Sequence, residues 1–183
     1  MLAAKSADCQ NNILKNQGQA AITIKKEKED KQVNPALLSS KKMDWCTPKD
    51  FFAELNREFN FVLDAAATER NKKCRMCFTP ETDGLSQSWD CGGAIFCNPP
   101  YGREIGKWVE KAYIEASKCK HPIVLLIPSR TDTQYFHKYI YRKAEIRFVK
   151  GRLRFTDEKG EAGDPAPFPS MLVIYNGRQA NKE

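Results

Sequence analysis

The sequence predicts an α/β domain built on a mostly parallel sheet, and three observations carry that reading. Short apolar runs of strand length, at residues 61–63 and 94–97, alternate with stretches whose apolar residues recur every three or four positions. The run from Pro122 to Ile127 is almost unbroken in its apolarity, as expected of a strand covered on both faces. Two further strands, at 146–149 and 171–175, then follow with no helix between them.

Taken in order, residues 1–43 form a polar arm without a sustained apolar period. Eight lysines against four acids give it a net +4. The run from Lys25 to Lys31 reads as a flexible leader, with contact to a polyanion as the functional alternative. A single domain is expected over 44–178, with an insertion at about 151–170 and a polar tail at 179–183. Thr47-Pro48 predicts a helix start, a capping hydroxyl followed by proline where its missing N–H does no harm. Phe51, Leu55 and Phe59, with Phe52 beside them, give that helix its apolar stripe.

Phe61-Val62-Leu63 predicts the first strand, which Asp64 terminates, and Ala65-Ala66-Ala67 is small enough to let a loop pass close to a ligand. Only 34 positions separate Asp64 from Asn98, too few for two full strand–helix units. The Cys74–Phe78 region is therefore expected to be an abbreviated strand or a loop. Asp83-Gly84 reads as a turn. Ile105, Trp108, Val109, Ala112 and Ala116 predict a helix through about Cys119. Pro128 ends the central strand, and Thr131 with Gln134 fits a capping box for a helix that turns Tyr135, Phe136, Tyr139 and Ile140 inward.

The strongest chemical signal is Asn98-Pro99-Pro100-Tyr101, directly after the apolar run 94–97. Two prolines stop a strand abruptly, and ligands bind at the C-terminal ends of strands in open α/β sheets. Asn98 offers a side-chain carbonyl, and Pro99 has a backbone carbonyl but no N–H. Two acceptors side by side can receive both hydrogens of an exocyclic amino group, while Tyr101 offers a flat face to the ring that carries it.

With this tetrapeptide, the chain from about Trp45 to Tyr175 resembles the phage-type DNA N-6-adenine methyltransferase family. The matching pieces are Trp45-Cys46-Thr47-Pro48, Leu63 to Ala67, Asp83-Gly84-Leu85, Asn98 to Gly102, Pro128-Ser129-Arg130, Gly151 to Phe155 and Pro167 to Ser170. The resemblance implies a Rossmann-like methyltransferase fold whose last strand is antiparallel. It also implies S-adenosylmethionine as methyl donor and adenine N6 in double-stranded DNA as acceptor, reached by turning the base out of the helix. Asn98, Pro99, Pro100 and Tyr101 are then the expected catalytic residues. Trp45, Thr47, Pro48, Asp64, Ala65, Ala66, Asp83 and Asn98 are expected to bind the cofactor. In the resembled family the stretch around Trp45–Pro48 touches the methionine end of the cofactor, and an acid at the position of Asp83 lies near the adenine amino group. The Asp64 carboxylate, placed after a strand, can face the donor's cationic end.

The remaining features bear on partners. Formal charge is +7, from 30 basic and 23 acidic residues, which favours a polyanionic partner. Residues 142–154 hold six basic side chains and one acid. Arg152 and Arg154 there, with Arg130 and Phe168, are the expected DNA contacts; a charged edge strand is the alternative. No apolar run approaches the roughly 20 residues of a membrane span, and the N-terminus lacks the apolar core of a signal peptide. Seven scattered cysteines predict reduced thiols and a cytoplasmic setting, which the phage-type resemblance implies is that of a bacterial host cell. Cys74-x-x-Cys77 with Cys91 and Cys97 has poor spacing for zinc, so no metal is expected. Rival readings are methylation of an RNA base amine, of cytosine N4 or of a protein glutamine, and a DNA-binding protein without catalysis.

Overall fold

A computed structural model describes residues 45–157 and 159–177. The expected arm at 1–43 and tail at 179–183 lie outside the described residues. Six strands are laid down in chain order: β1 Phe61–Asp64, β2 Met76–Cys77, β3 Ala94–Cys97, β4 Ile123–Pro128, β5 Glu145–Phe148 and β6 Ser170–Tyr175. Helix α1 (Lys49–Phe59) precedes β1, and α2 (Ile105–Ala116) joins β3 to β4. A five-residue π-helical turn, Phe136–Ile140, stands between β4 and β5.

The strands form one sheet in the order β2-β1-β3-β4-β6-β5. β1 pairs in parallel with β2 and β3, and β3 with β4. β6 runs antiparallel to both of its neighbours, β4 and β5. A mixed, mostly parallel α/β sheet is therefore present, and β2 is the abbreviated strand expected between Asp64 and Asn98. From β1 the chain first adds β2 on one side and then β3 on the other. That reversal of winding opens a crevice at the carboxyl ends of β1 and β3, where open α/β sheets take their ligands.

Every residue of β3, β4 and β6 is buried, which accounts for their continuous apolar runs. Phe52 of α1 meets Phe96 of β3 edge-on at 5.2 Å and Phe61 of β1 at 5.7 Å, so the aromatic stripe docks the helix beside the strand ends. On the other helix, Ile105, Val109 and Ala112 are buried in the same core.

Two helix starts differ from the sequence expectation. Pro48, not Thr47, occupies the cap position of α1, and no side chain caps that helix. The Thr47 hydroxyl is buried and accepts a hydrogen bond from Asn98 Nδ2 at 3.0 Å, so a tertiary partner has taken it. The Thr131–Gln134 capping box is not formed either. Tyr135 precedes the π-helical turn without a side-chain cap, and the Thr133 hydroxyl donates to the Arg130 carbonyl at 2.8 Å. Phe136, Tyr139 and Ile140 nonetheless face inward, helped by the Tyr175 hydroxyl, which donates to the Tyr139 carbonyl at 2.8 Å.

Candidate active site

Asp64 is the last residue of β1, and Asn98 follows β3 directly. The Ala65 N–H donates to the Phe96 carbonyl at 2.8 Å, which ties the two strand ends together. A cavity of about 220 Å³ lies against them. Asp64, Ala66, Asn98, Pro99 and Pro100 line it from the strand ends, Trp45 and Thr47 from the segment before α1. The β2–β3 connection adds Asp83, and α2 adds Trp108.

The Asn98 amide is held by its nitrogen. Nδ2 donates to the Trp45 carbonyl at 2.5 Å and to the Thr47 hydroxyl at 3.0 Å. A backbone carbonyl can only accept, so the group facing Trp45 must be the NH₂ end of the amide. Both of its hydrogens are engaged there. Oδ1 is left buried with no hydrogen-bond partner among the described residues. A buried acceptor without a donor is costly in isolation, by about 1–3 kcal/mol, and marks a place for a ligand N–H.

Asp64 shows the same pattern with a charge. It is 3% exposed; Oδ2 accepts the Lys73 backbone N–H at 3.0 Å, and Oδ1 has no partner among the described residues. Burial pushes its carboxyl up to about 6, against the pull of the Lys73 and Ala66 backbone N–H groups and the nearby Lys73 charge. A carboxylate this starved of solvent favours a cationic or amino ligand.

Tyr101 and Phe168 occupy a different place from the open stacking surface expected of them. The Tyr101 ring is 6% exposed, its hydroxyl donates to the Leu126 carbonyl at 3.1 Å, and it does not line the cavity. Phe155 and Phe168 close on it edge-on at 5.9 and 5.5 Å, and both also pack against Trp45, at 5.3 and 5.4 Å. Four aromatic rings thus fill the space beside the Asn98 amide, two of them supplied by the segment between β5 and β6.

Comparison with known proteins agrees with this chemistry. The profile of the family described as DNA N-6-adenine-methyltransferase (Dam) matches residues 35–183. The chain belongs to that family. It is 34% identical over 147 residues to the DNA N-6-adenine-methyltransferase of Escherichia phage T1, a match covering 71% of this chain and 61% of that protein. It is 31% identical over 144 residues to the DNA N-6-adenine-methyltransferase of Haemophilus phage HP1 (strain HP1c1), covering 75% and 82% respectively. The chain therefore spans under two thirds of the length of the phage T1 relative.

Within this member of the Dam family, the strand-end residues named from sequence converge, but not all the others do. Ala65 is buried behind the cavity wall and does not line it. Asp83 lines the cavity from a left-handed backbone (φ 49°) while its Oδ1 accepts the Leu85 N–H at 3.2 Å, so turn and wall are one residue. Its neighbour must be glycine, because a Cβ on Gly84 would stand 2.3 Å from the Ala65 carbonyl oxygen. Arg130, Arg152 and Arg154 are exposed and outside the cavity; Arg154 reaches the Gly163 carbonyl at 3.5 Å. Arg147 is already committed, to Glu58 at 2.7 Å and Glu145 at 2.6 Å.

Sequence reasoning missed Lys73, Asn71, Phe78 and Pro80 on the cavity wall, and it read Trp108 only as helix core. The helical period explains that reading of Trp108, since the ring serves both core and cavity. Lys73 carries no local signal, because its place is set by a backbone contact to Asp64. Among the described residues, no three His, Cys, Asp or Glu side chains cluster as a metal site. No described helix is long and apolar enough to cross a membrane.

Proposed function

We propose that this chain transfers a methyl group from S-adenosylmethionine to N6 of adenine in double-stranded DNA. The observation that carries the reading is the Asn98 amide, fixed through Nδ2 with Oδ1 left as a buried, unpartnered acceptor. Beside it, Pro99 brings a carbonyl without an N–H, so the pair can take both hydrogens of an exocyclic amine. An aromatic amine is a poor nucleophile while its lone pair is conjugated with the ring. Holding both hydrogens turns that lone pair out of the ring plane and stabilises the positive charge that develops on nitrogen. Adenine in a duplex is stacked, so the base must be turned out to reach Asn98.

The residues present fit the donor. Bound in the cavity, S-adenosylmethionine supplies an electrophilic methyl on a cationic sulfur. Asp64 offers its unpartnered oxygen to a positive group, and Trp45, Thr47, Ala66 and Asp83 form walls around it. The sheet order with a reversed β6 supports a Rossmann-like methyltransferase fold, and a DNA substrate in a phage host implies the bacterial cytoplasm. The segment 151–170, carrying Arg152, Arg154 and Phe168, is the DNA-contacting insertion in this reading.

Asn98→Ala tests it. Methyl transfer to DNA should fall by about 10²–10³ while cofactor affinity stays within a few fold. N6-methyladenine formed at near wild-type rate by this variant would sink the mechanism. Label arriving in RNA or protein in place of DNA would move the substrate to one of the rival classes.

A further inference from the structure

A second cleft, of about 120 Å³, adjoins the cavity and shares Cys46, Asn71 and Lys73 with it. Three separate chain segments bring cations to it: Lys49 at the start of α1, Arg70 and Lys73 from the β1–β2 connection, and Lys159 from the segment between β5 and β6. Asp157 is the acid on its wall, and that carboxylate is occupied locally. Its Oδ1 accepts the backbone N–H groups of Lys159 and Glu161, both at 2.9 Å. Lys49, Lys73 and Lys159 make no ion pair among the described residues. Burial holds the Lys73 ammonium below its ordinary value against the opposing pull of Cys46 and the Asp64 carboxylate, and the like charge of Lys49 adds a smaller push in the same direction as burial. Four cations against one carboxylate among the described lining residues make this cleft a place that suits an anion.

We propose that this cleft holds a backbone phosphodiester of the DNA next to the target nucleotide. The cleft is fixed against the site. The Thr156 N–H donates to the Cys46 carbonyl at 2.9 Å, and Cys46 stands between Trp45 and Thr47, the two residues that hold the Asn98 amide. A polymer whose base enters the cavity must lay its backbone across the rim, and this cleft brings four cations to the cavity's side. Lys49, Arg70 and Lys159 are exposed, as suits a phosphate that stays near solvent, whereas Lys73 closes the inner end. These contacts are separate from Arg152 and Arg154. The proposal rests on DNA being the substrate.

The test is the double variant Lys49→Ala/Lys159→Ala, since neither residue lines the cavity. Binding of duplex DNA is measured against salt for wild type and variant, with S-adenosylhomocysteine affinity by calorimetry and the thermal midpoint as controls. The slope of log affinity against log salt should flatten by up to about 0.9, the value for one phosphate, with cofactor affinity and midpoint unchanged. A duplex with neutral methylphosphonates flanking the target adenine should bind wild type more weakly and cost the double variant nothing further. An unchanged salt slope in a variant that folds would overturn the proposal. So would lost cofactor affinity with DNA binding intact, which would give the cleft to the cofactor's carboxylate. If wild type itself binds no duplex, the DNA reading fails and this proposal with it. If wild type binds and the variant matches it, only the cleft assignment fails.

Discussion

At the scale of single residues, two buried oxygens without partners among the described residues stand at neighbouring strand ends, and they differ in charge. Asn98 Oδ1 is neutral and suits a base amine; Asp64 Oδ1 is anionic and suits a cation. Asp64 makes a pH prediction with a definite sign. Its folded-state pKa is raised from an ordinary 3.8 to about 6, so the folded chain binds a proton more readily than the unfolded one. Stability contributed at low pH is then lost as pH rises from about 4 through 6. Asp64→Asn should remove that loss, stabilising the protein at pH 7.5 by roughly 2–3 kcal/mol as an upper bound at 1.36 kcal/mol per unit. Urea unfolding at pH 4 and 7.5 measures it, and equal pH slopes for the two proteins would refute the assignment. Cofactor affinity should move oppositely. In wild type it should climb as pH rises through 6 and Asp64 ionises; in the variant it should be weaker and flat.

Among elements, the connection from β2 to β3 depends on one carboxylate of α2. Glu115 is 1% exposed; it accepts the Trp89 backbone N–H at 3.0 Å and the Lys111 and Lys118 ammonium groups at 2.9 and 3.2 Å. Trp89 in turn donates from its indole to the Gly84 carbonyl at 2.7 Å, which braces the turn bearing Asp83. Burial acts to raise the Glu115 carboxyl, but the Trp89 N–H and the two lysines outweigh it and hold it below 4.5. Its stabilisation is therefore complete above the unfolded value and disappears as pH falls through the folded one. Glu115→Ala should cost about 2–3 kcal/mol at pH 7, leaving a buried N–H without an acceptor. The gap from wild type should shrink towards pH 3, and denaturant titrations at the two pH values check both statements.

The segment from Gly151 to Pro169 makes the other elemental prediction. It anchors through Phe155 and Phe168 to Trp45 and Tyr101, each pair contributing about 0.5–1.5 kcal/mol, and presents Arg152 and Arg154 outward. Replacing both arginines with alanine should weaken binding to all duplex sequences and flatten the salt slope by roughly two units. A loss confined to one sequence would instead identify an arginine that reads guanine. No change in either quantity would leave 152 and 154 as solvated charge.

For the whole molecule, the sheet order explains why the Asn98–Tyr101 tetrapeptide and a distant carboxylate meet. β1 and β3 are neighbours only because the chain reverses its winding after β2, and that reversal creates the crevice holding both residues. The six elements with clear periodicity were legible beforehand: the apolar runs at 61–63, 94–97, 122–127 and 171–175 fall within a residue of the strands Phe61–Asp64, Ala94–Cys97, Ile123–Pro128 and Ser170–Tyr175, and the stripes from Phe51 and Ile105 are helices. Asn98 and Asp64 were legible as strand-end polar residues for the same reason, since abrupt polar stops after apolar runs are local signals. Capping was misread at Thr47 and Thr131 because a hydroxyl's partner need not be the nearest free N–H. What the sequence determined alone is thus the alternation of elements and the residues at their ends. Only the tertiary structure decided the direction of the Asn98 amide, the covering of Tyr101 and the basic cleft. Those depend on distant partners: Trp45 and Thr47 lie 53 and 51 positions from Asn98, Phe155 and Phe168 lie 54 and 67 from Tyr101, and Thr156 lies 110 from Cys46. No local pattern encodes contacts at such separations; they exist once the sheet has brought the strand ends together.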